Sequence, residues 1–186
     1  MNKLFLAIDS TGYPSGWLSW QEAVAQEVLG KVSYGFGDFE FTFTGGKNRY
    51  TGLDSRVTLK SILVLRGRHR GAGRYATVPL SNQSLFLRDR LMCAYCGDVN
   101  SRGLTRDHIV PLSRGGRDSW LNVCACCSAC NMRKGASLLE ELGWELLYLP
   151  YAPNHQEGLL LQNRRILNDQ MELLKAMLPK HSRLAA

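Results

Sequence analysis

Two Cys-X-X-Cys pairs constrain the fold of this chain more than any other feature of its sequence. The first pair is Cys93 and Cys96, and the second is Cys127 and Cys130. Two such pairs can bring four thiolates into the tetrahedral arrangement that a structural Zn²⁺ ion prefers. A redox pair is the alternative, but it is expected at the start of a helix in a β–α–β unit, which the sequence "CAYCG" does not resemble. We therefore predict a structural zinc site.

The zinc ion is expected to stabilise the fold and to take no part in catalysis. The segment between the two pairs is rich in glycine and arginine and offers little apolar surface for burial. Structural zinc sites contribute on the order of 10 kcal/mol at neutral pH, enough to decide whether a small module folds. Cys124 and Cys126 lie beside the second pair and could compete as ligands, but we interpret them as small buried apolar residues.

Positive charge is concentrated in the middle of the chain. The whole sequence carries a net charge of +7, whereas residues 61–135 alone hold 12 basic and four acidic side chains. Such a concentration is typical of proteins that bind polyanions, although it can also serve solubility. A glycine-spaced basic loop follows residue 65, and we predict phosphate contacts from Arg66, Arg68 and Arg70; a solvated connection is the alternative.

Composition places the chain among water-soluble globular proteins. Apolar residues make up 45% of the sequence and charged residues 21%, which is ordinary for a folded domain. The first apolar run, "LFLAI", ends at Asp9 and is too short for a secretory signal, and no run reaches the roughly 18 residues that a membrane span needs. We therefore expect a cytoplasmic protein without a membrane partner.

The pattern of the chain predicts an α+β fold in three parts. Residues 1–80 form a mixed region of unknown role, with strands at "KLFLAI", "DFEFTFT" and "VTLKSILVL", a turn at "STGYPSG", and a helix that a Ser19–Glu22 capping box opens and Gly30 ends. Residues 81–150 hold a short helix, "NQSLFLRDR", and the cysteine-bearing module. Residues 151–186 contain one amphipathic helix. Its apolar stripe is expected to pack on its own domain, with a dimer contact as the alternative, so the protein is a monomer or a homodimer.

The stretch "RDHIVPLSRGG" between the cysteine pairs favours a chemical role over regular structure. It places Asp107 beside His108, includes Pro111, which lacks a backbone donor, and ends in a flexible glycine pair. Adjacent residues of a regular strand project to opposite faces, so the two side chains can serve one site only where a strand ends or is distorted. Asn122 and Asn131 follow in the same module.

These residues resemble a known family. The segment "CAYCG…LTRDHIVPLSRGGRDSWLNVCACCSACNMRKG" is similar to the HNH nucleases of the ββα-metal group, in the subgroup whose motif lies within a four-cysteine zinc site. The resemblance covers residues 88–135. Asn131 stands where many members have histidine, which makes this the H-N-N version of the motif. The upstream sequence also resembles small bacterial and phage proteins of this family.

The resemblance implies a mechanism and a set of site residues. His108 would be the general base, as a neutral imidazole at cytosolic pH. Asp107 and Asn131 would hold one Mg²⁺ or Mn²⁺ ion, since oxygen ligands suit hard cations. Asn122 would bind backbone or imidazole and so orient the base. Phosphate contacts are expected from Arg106, Arg114, Arg117, Arg133 and Lys134. The glycine pair Gly115 and Gly116 is expected to let the backbone come near a phosphate.

The function that follows is metal-dependent cleavage of nucleic acid, with DNA as the expected substrate. Two alternatives stay open at this point. One is a module stabilised by structural zinc that binds nucleic acid and does not cleave it. The other is an RNA-directed nuclease with the same chemistry. The sequence shows no base-reading helix or aromatic stacking platform that separates DNA from RNA.

Overall fold

The structure is a computed structural model that describes residues 4–67, 78–99, 103–162, 165–180 and 182–184. It has mixed helices and strands, as the sequence predicts. The chain forms two compact units: the first comprises Met1–Ala76 and Asn163–Ala186, and the second comprises Thr77–Gln162. The segment 151–186, predicted as one C-terminal part, therefore contributes to both units.

A four-stranded sheet forms the main body of the first unit. The strands are paired in the order β2-β1-β4-β3, in which β1 and β4 run parallel and the other neighbours run antiparallel. The elements in chain order are β1 (Leu4–Ile8), β2 (Pro14–Ser19), α1 (Trp20–Val28), β3 (Val32–Lys47) and β4 (Asp54–Leu65). The predicted strands are all present, but β2 begins inside the stretch predicted as a turn.

Helix α1 covers one face of this sheet. The Ser19 hydroxyl accepts a hydrogen bond from the backbone N–H of Glu22 at 3.3 Å, and the Glu22 carboxylate accepts one from the N–H of Ser19 at 2.8 Å. This capping box confirms the predicted helix start. Ala23 is fully buried in a core cluster with Phe5, Leu59 and Leu63.

An irregularity in β3 changes which of its phenylalanines are buried. The sequence predicts that Phe39, Phe41 and Phe43 share one half-buried face, yet Phe39 is exposed while the other two pack against the core cluster. The pairing of β3 with β4 shifts register between Phe36 and Glu40. Gly37 lies in this irregular stretch with a φ of +107°, a conformation that side chains rarely adopt, and a bulge of this kind alters the direction of the residues beside it.

The second unit contains a two-stranded sheet and several short helices. Strands β5 and β6 are antiparallel, with Leu104 opposite Cys127 and His108 opposite Val123. The order strand, strand, helix agrees with the ββα arrangement that the family resemblance implies. The elements are α2 (Asn82–Arg88), β5 (Leu104–His108), a 3₁₀ turn (Leu112–Arg114), β6 (Val123–Cys127), α3 (Ser128–Lys134), α4 (Leu139–Leu142) and α5 (His155–Gln162).

A buried arginine connects the parts of the second unit. Arg88 has no exposed surface, and its guanidinium donates hydrogen bonds to both carboxylate oxygens of Asp89. It also donates to the backbone oxygens of Trp120, Val123 and Tyr151 at 2.8–2.9 Å. All of the donors that a guanidinium directs along its fork are thereby used, which is the condition for burying this charge at low cost.

The C-terminal leucine stripe forms two helices where the sequence predicts one. Helix α5 ends at Gln162, and α6 (Asn168–Ala176) belongs to the first unit. The backbone N–H of Leu167 donates to the side-chain oxygen of Gln170 at 3.1 Å, and this contact caps a new helix. The amide nitrogen of Gln170 donates to the backbone oxygens of Leu4 and Ser61. Leucine spacing reports an apolar face and does not reveal a capping side chain of this kind.

None of the helices within the described ranges combines the length and the apolar character that crossing a bilayer demands.

Candidate active site and metal centre

The two Cys-X-X-Cys pairs meet at one place in the second unit. Cys93 and Cys96 lie in a turn before β5, Cys127 caps the N-terminus of α3, and Cys130 lies in its first turn. The four sulfur atoms all lie within 4.8 Å of one another, and those of Cys96 and Cys127 are 3.9 Å apart. Sulfurs bound tetrahedrally to one Zn²⁺ at about 2.3 Å would be separated by about 3.8 Å. The cluster therefore fits a structural zinc ion.

Two thiols of this cluster, those of Cys93 and Cys130, differ in acidity. Burial raises the pKa of Cys93, but hydrogen bonds from the backbone N–H groups of Cys127, Cys96 and Tyr95 outweigh it and lower the pKa to about 7. Burial and hydrogen bonds with the neighbouring thiols of Cys127 and Cys96 raise the pKa of Cys130. A divalent ion at the centre would favour the thiolate form of all four ligands.

The two remaining cysteines are buried and lie outside this cluster. Cys124 and Cys126 have no exposed surface, and burial raises the pKa of Cys124 to about 12. The thiol of Cys126 donates to the backbone oxygen of Cys127 at 3.2 Å. Both residues thus behave as the small core residues that we predict, and among the described residues the other four cysteines form the cluster that could hold a metal ion.

The side chains of β5 alternate between the two sides of the strand, and each side has its own contacts. On one side, the Thr105 hydroxyl accepts a hydrogen bond from the amide nitrogen of Asn131 at 2.8 Å, and Asp107 pairs with Lys134. On the other side, Arg106 and His108 both contact Asp118. The strand does end at His108, as we expect, but Asp107 and His108 contact different groups.

The Asp107 carboxylate is enclosed by donors. It is 7% exposed as a side chain, and the ammonium of Lys134, which is fully buried, lies 3.3 Å from Oδ1 and 3.1 Å from Oδ2. The hydroxyl of Tyr95 donates to Oδ2, and burial together with Cys124 and Asp107 raises the pKa of Tyr95, so it remains a donor. Lys134 also donates to the backbone oxygen of His108 at 2.8 Å. Both carboxylate oxygens are therefore engaged.

The chemistry of Asp107 and Asn131 fits a hard divalent cation. Both residues offer oxygen, and among the described residues the amide oxygen of Asn131 accepts no hydrogen bond. A divalent cation that binds Asp107 would displace the ammonium of Lys134, because that ammonium contacts both carboxylate oxygens. These two residues would hold the ion that the family resemblance implies.

His108 forms a pair with an acid that the sequence analysis did not single out. Its Nε2 atom lies 2.9 Å from Oδ1 of Asp118, and the imidazole remains partly exposed. Arg106 contacts both oxygens of Asp118 at 2.8–2.9 Å. The hydrogen bond with His108 and the Arg106 guanidinium hold the pKa of Asp118 below its ordinary value. Asp118 is therefore an anion that contacts the imidazole of His108.

The loop between β5 and β6 is held by Asn122. Its carbonyl oxygen accepts from the backbone N–H of Val110 at 2.9 Å, and its amide nitrogen donates to the backbone oxygens of Val110 and Arg117. The backbone N–H of Ile109 donates to the backbone oxygen of Asn122. Of the two partners considered for Asn122, backbone or imidazole, its side chain contacts the backbone.

The glycine pair serves the protein's own backbone. Gly115 follows the 3₁₀ turn with a φ of +86°. A Cβ atom on Gly116 would lie 1.8 Å from the backbone oxygen of Val110 and 2.9 Å from the amide nitrogen of Asn122. We expected these glycines to admit a phosphate, but the close approach at Gly116 is made by the loop itself.

The structure places two of the predicted phosphate contacts on helix α3. Lys134 is 1% exposed and bound to Asp107. Its ammonium is therefore buried and not at the surface, where the predicted phosphate contact would need it. The guanidinium of Arg133 lies over the ring of Trp144, 5.4 Å from its centre. The position of Lys134, three residues after Asn131 on the helix, does not reveal whether its side chain turns inward, because that depends on the strand beneath it.

The remaining predicted contacts divide into paired and unpaired arginines. Arg106 pairs with Asp118, and Arg114 pairs with Glu141 at 2.6 Å. Among the described residues, Arg66 and Arg117 are exposed and form no ion pair. Arg68 and Arg70 lie outside the described residues.

Comparison with known proteins supports the family resemblance for this part of the chain. A family model described as HNH endonuclease matches residues 93–147, which include all four clustered cysteines and the loop described above. The resemblance inferred from the sequence is thereby confirmed for this segment. Searches of curated proteins and of solved structures found no match.

Proposed function

We propose that the segment matched by the HNH endonuclease model, residues 93–147, hydrolyses phosphodiester bonds of DNA with His108 as the general base. The observation that carries this proposal is the contact between Nε2 of His108 and the Asp118 carboxylate at 2.9 Å. A partly exposed imidazole with an acid behind it is suited to removing a proton from water.

Asp118 sets the tautomer of the base. A carboxylate only accepts hydrogen bonds, so Nε2 carries the proton and Nδ1 of the neutral imidazole keeps its lone pair. Transfer of a proton from water to Nδ1 converts the His108 imidazole to an imidazolium, and the negative charge of Asp118 stabilises that cation. Arg106 orients Asp118 through contacts to both of its oxygens.

Asn122 is a positioning residue in this scheme. Its amide binds the backbone oxygen of Arg117, the neighbour of Asp118, and both backbone groups of Val110, which follows the end of β5. The two ends of the loop that carry His108 and Asp118 are thus tied to one side chain. Substitution of Asn122 would act on the rate through the placement of this pair.

The divalent ion would be held by Asp107 and Asn131. When bound, Mg²⁺ or Mn²⁺ supplies positive charge that stabilises the phosphate oxygens and the leaving 3′ oxygen. The four-cysteine cluster would hold zinc and stabilise the second unit without contacting the substrate. Exposed Arg117 lies beside Asp118 in the chain and is available to bind a neighbouring phosphate.

One observation favours a second function, a module that binds nucleic acid without cleaving it. The ammonium of Lys134 occupies both oxygens of Asp107, so the chain can satisfy this carboxylate without a divalent ion. Such a module would hold zinc on its four cysteines and bind no catalytic cation.

Incubation of the purified protein with supercoiled plasmid separates these functions. We expect nicked or linear DNA to appear with Mg²⁺ or Mn²⁺ and not without added divalent ion, with products that carry 5′ phosphate ends. A matched incubation with structured and single-stranded RNA tests whether the protein is an RNA-directed nuclease. A protein that contains zinc and binds DNA but does not cut it with either ion supports the second function, binding of nucleic acid without cleavage.

A further inference from the structure

We propose that the tip of the β3–β4 hairpin, residues 44–56 of the first unit, binds the major groove of double-stranded DNA. This inference rests on the proposed function only for the nature of the substrate. The role of the first unit was unknown from the sequence. Its own geometry and charge locate the binding surface.

The hairpin extends beyond the sheet as a two-stranded ribbon. Among the described residues, strand β1 pairs with β4 at Ile62, Leu63 and Val64, whereas β4 begins at Asp54 and its other neighbour is β3. Within the described part of the chain, residues 54–61 therefore pair with β3 alone. A free two-stranded ribbon of this kind has the dimensions of an element that enters a DNA groove.

The base of the ribbon is fixed to the core. Phe41, Phe43 and Val57 lie on one face and pack against the buried cluster of the first unit. The ring of Trp20, at the start of α1, stacks on Phe43 with centres 5.3 Å apart. The ribbon is thus anchored on one side, and its tip is presented in a defined direction.

The turn at the end of the ribbon is ordered by Asn48. Its side-chain oxygen accepts from the backbone N–H groups of Tyr50 and Thr51 at 2.9 and 3.1 Å. Its backbone N–H donates to the oxygen of Leu53 at 2.7 Å. This turn leaves Tyr50 93% exposed and Leu53 71% exposed. The side chains of Tyr50 and Leu53 are therefore available at the apex for contact with a partner.

The same tip carries three exposed cations. Lys47, Arg49 and Arg56 lie in the tip, where Asp54 is the one acidic residue of the sequence. Within the part of the chain that the structure describes, none of these cations forms an ion pair, whereas Lys60 lower in the ribbon pairs with Glu40 at 2.9 Å. Unpaired cations around an exposed apex are the complement of two phosphate backbones that border a groove.

The width of the element selects the groove. Two paired strands lie about 4.8 Å apart, and their side chains widen the ribbon further, so it suits the major groove of B-DNA at about 12 Å and is too wide for the minor groove at about 6 Å. The major groove of double-stranded RNA is deep and narrow, and side chains do not read it. The structure therefore points to duplex DNA as the partner.

Salt-dependent binding tests this inference. We would replace Lys47, Arg49 and Arg56 by alanine together, in a His108→Ala background without added divalent ion, so that no strand is cut. Each phosphate contact contributes a slope of about −0.9 to the plot of log affinity against log salt, so three contacts give about −2.7. The triple variant is expected to bind a labelled duplex about 10²-fold more weakly at about 0.15 M salt. The slope of its salt dependence should be shallower by about 2.7.

The matched control removes the same charge elsewhere in the first unit. Lys31→Ala, Lys175→Ala and Lys180→Ala combined lower the net charge by three at exposed positions outside the hairpin. We expect this control to weaken binding only a few-fold, with a slope close to that of the parent. Equal affinity and equal slope for the hairpin variant and the control overturn the inference. An equal loss of binding to duplex RNA overturns the assignment to the DNA major groove.

These outcomes can be separated from a failure of the proposed function. If the wild-type protein cuts plasmid while the hairpin variant binds DNA like the control, the nuclease proposal stands and this one falls. If wild type does not cut but loses duplex binding through the hairpin substitutions, this inference stands and the nuclease proposal falls. A protein that binds no duplex DNA at all contradicts both.

Discussion

Replacement of Lys134 by methionine tests the buried pair at the candidate metal site. Methionine keeps an unbranched side chain of similar length but removes the ammonium that contacts both oxygens of Asp107. The carboxylate, only 7% exposed, would keep the Tyr95 hydroxyl as its remaining described partner, and the backbone oxygen of His108 would lose its contact with the ammonium.

The expected cost follows from burial. Removal of one partner from a buried ion pair generally lowers the free energy of unfolding by about 3–5 kcal/mol, because the other charge is left uncompensated. Urea unfolding followed by tryptophan fluorescence and circular dichroism measures this loss. Lys175→Met, at an exposed position of α6, is the matched control and should change stability by less than about 0.5 kcal/mol.

A double variant, Lys134→Met with Asp107→Asn, completes a thermodynamic cycle. It should be more stable than the Lys134→Met variant, because no isolated charge remains. A cost of under about 1 kcal/mol for Lys134→Met, or strict additivity in the cycle, would refute the reasoning.

Divalent ion adds a second readout that does not depend on cleavage. If Asp107 holds the ion, removal of the competing ammonium strengthens binding, so Mg²⁺ should stabilise Lys134→Met more than the wild type. At a concentration about 100 times Kd the stabilisation is about 2.7 kcal/mol. An unchanged melting temperature in both proteins would show that Mg²⁺ does not bind at this carboxylate.

Three further predictions concern the base, the loop and the zinc cluster. Asp118→Asn should slow plasmid cleavage by about 10²-fold or more with little loss of stability, because the new amide can donate to His108 and so favour the wrong tautomer; unchanged cleavage would exclude this role. Gly116→Ala should lower the free energy of unfolding by about 1–3 kcal/mol, because its Cβ atom meets loop backbone; unfolding curves that overlay would contradict that packing. Cys127→Ser should lose bound zinc by metal analysis and melt without cooperativity, whereas Cys124→Ala should keep its zinc.

The cysteine cluster could be predicted from the sequence because its geometry is mostly local. Each Cys-X-X-Cys pair positions two sulfurs within a single turn, and the family motif supplies the pairing of the two turns. The capping box at Ser19 and Glu22 was predictable for the same reason, since both partners lie within three residues. Features of this kind need no knowledge of the tertiary fold.

The parts that the sequence did not reveal depend on contacts formed only after folding. Asp118 reaches His108 because the loop between them folds back, and nothing in the spacing of ten residues predicts that contact. The burial of Lys134 depends on α3 lying against the Asp107 side of β5. A signal for Asp118 was present in its position next to Arg117 and the glycine pair, but loops with acidic residues are common and carry no specific meaning.

The alternation in the β3–β4 hairpin shows the same limit in the first unit. Period-two spacing correctly predicts the strand, but a bulge at Gly37 and Asp38 changes the burial of Phe39. The bulge coincides with a hydrogen bond from the backbone N–H of Asp38 to Asp169, which is 131 residues away in the chain. A contact of that sequence separation cannot be read from a local pattern.

The rate of plasmid cleavage by His108→Ala, measured beside wild type and a His155→Ala control, tests the central claim most directly. We expect the first variant to lose cleavage by about 10²–10⁴-fold while it keeps its zinc, its cooperative unfolding and its affinity for DNA, and the control to cut at the wild-type rate. A His108→Ala protein that cuts as fast as wild type would contradict the assignment of the general base.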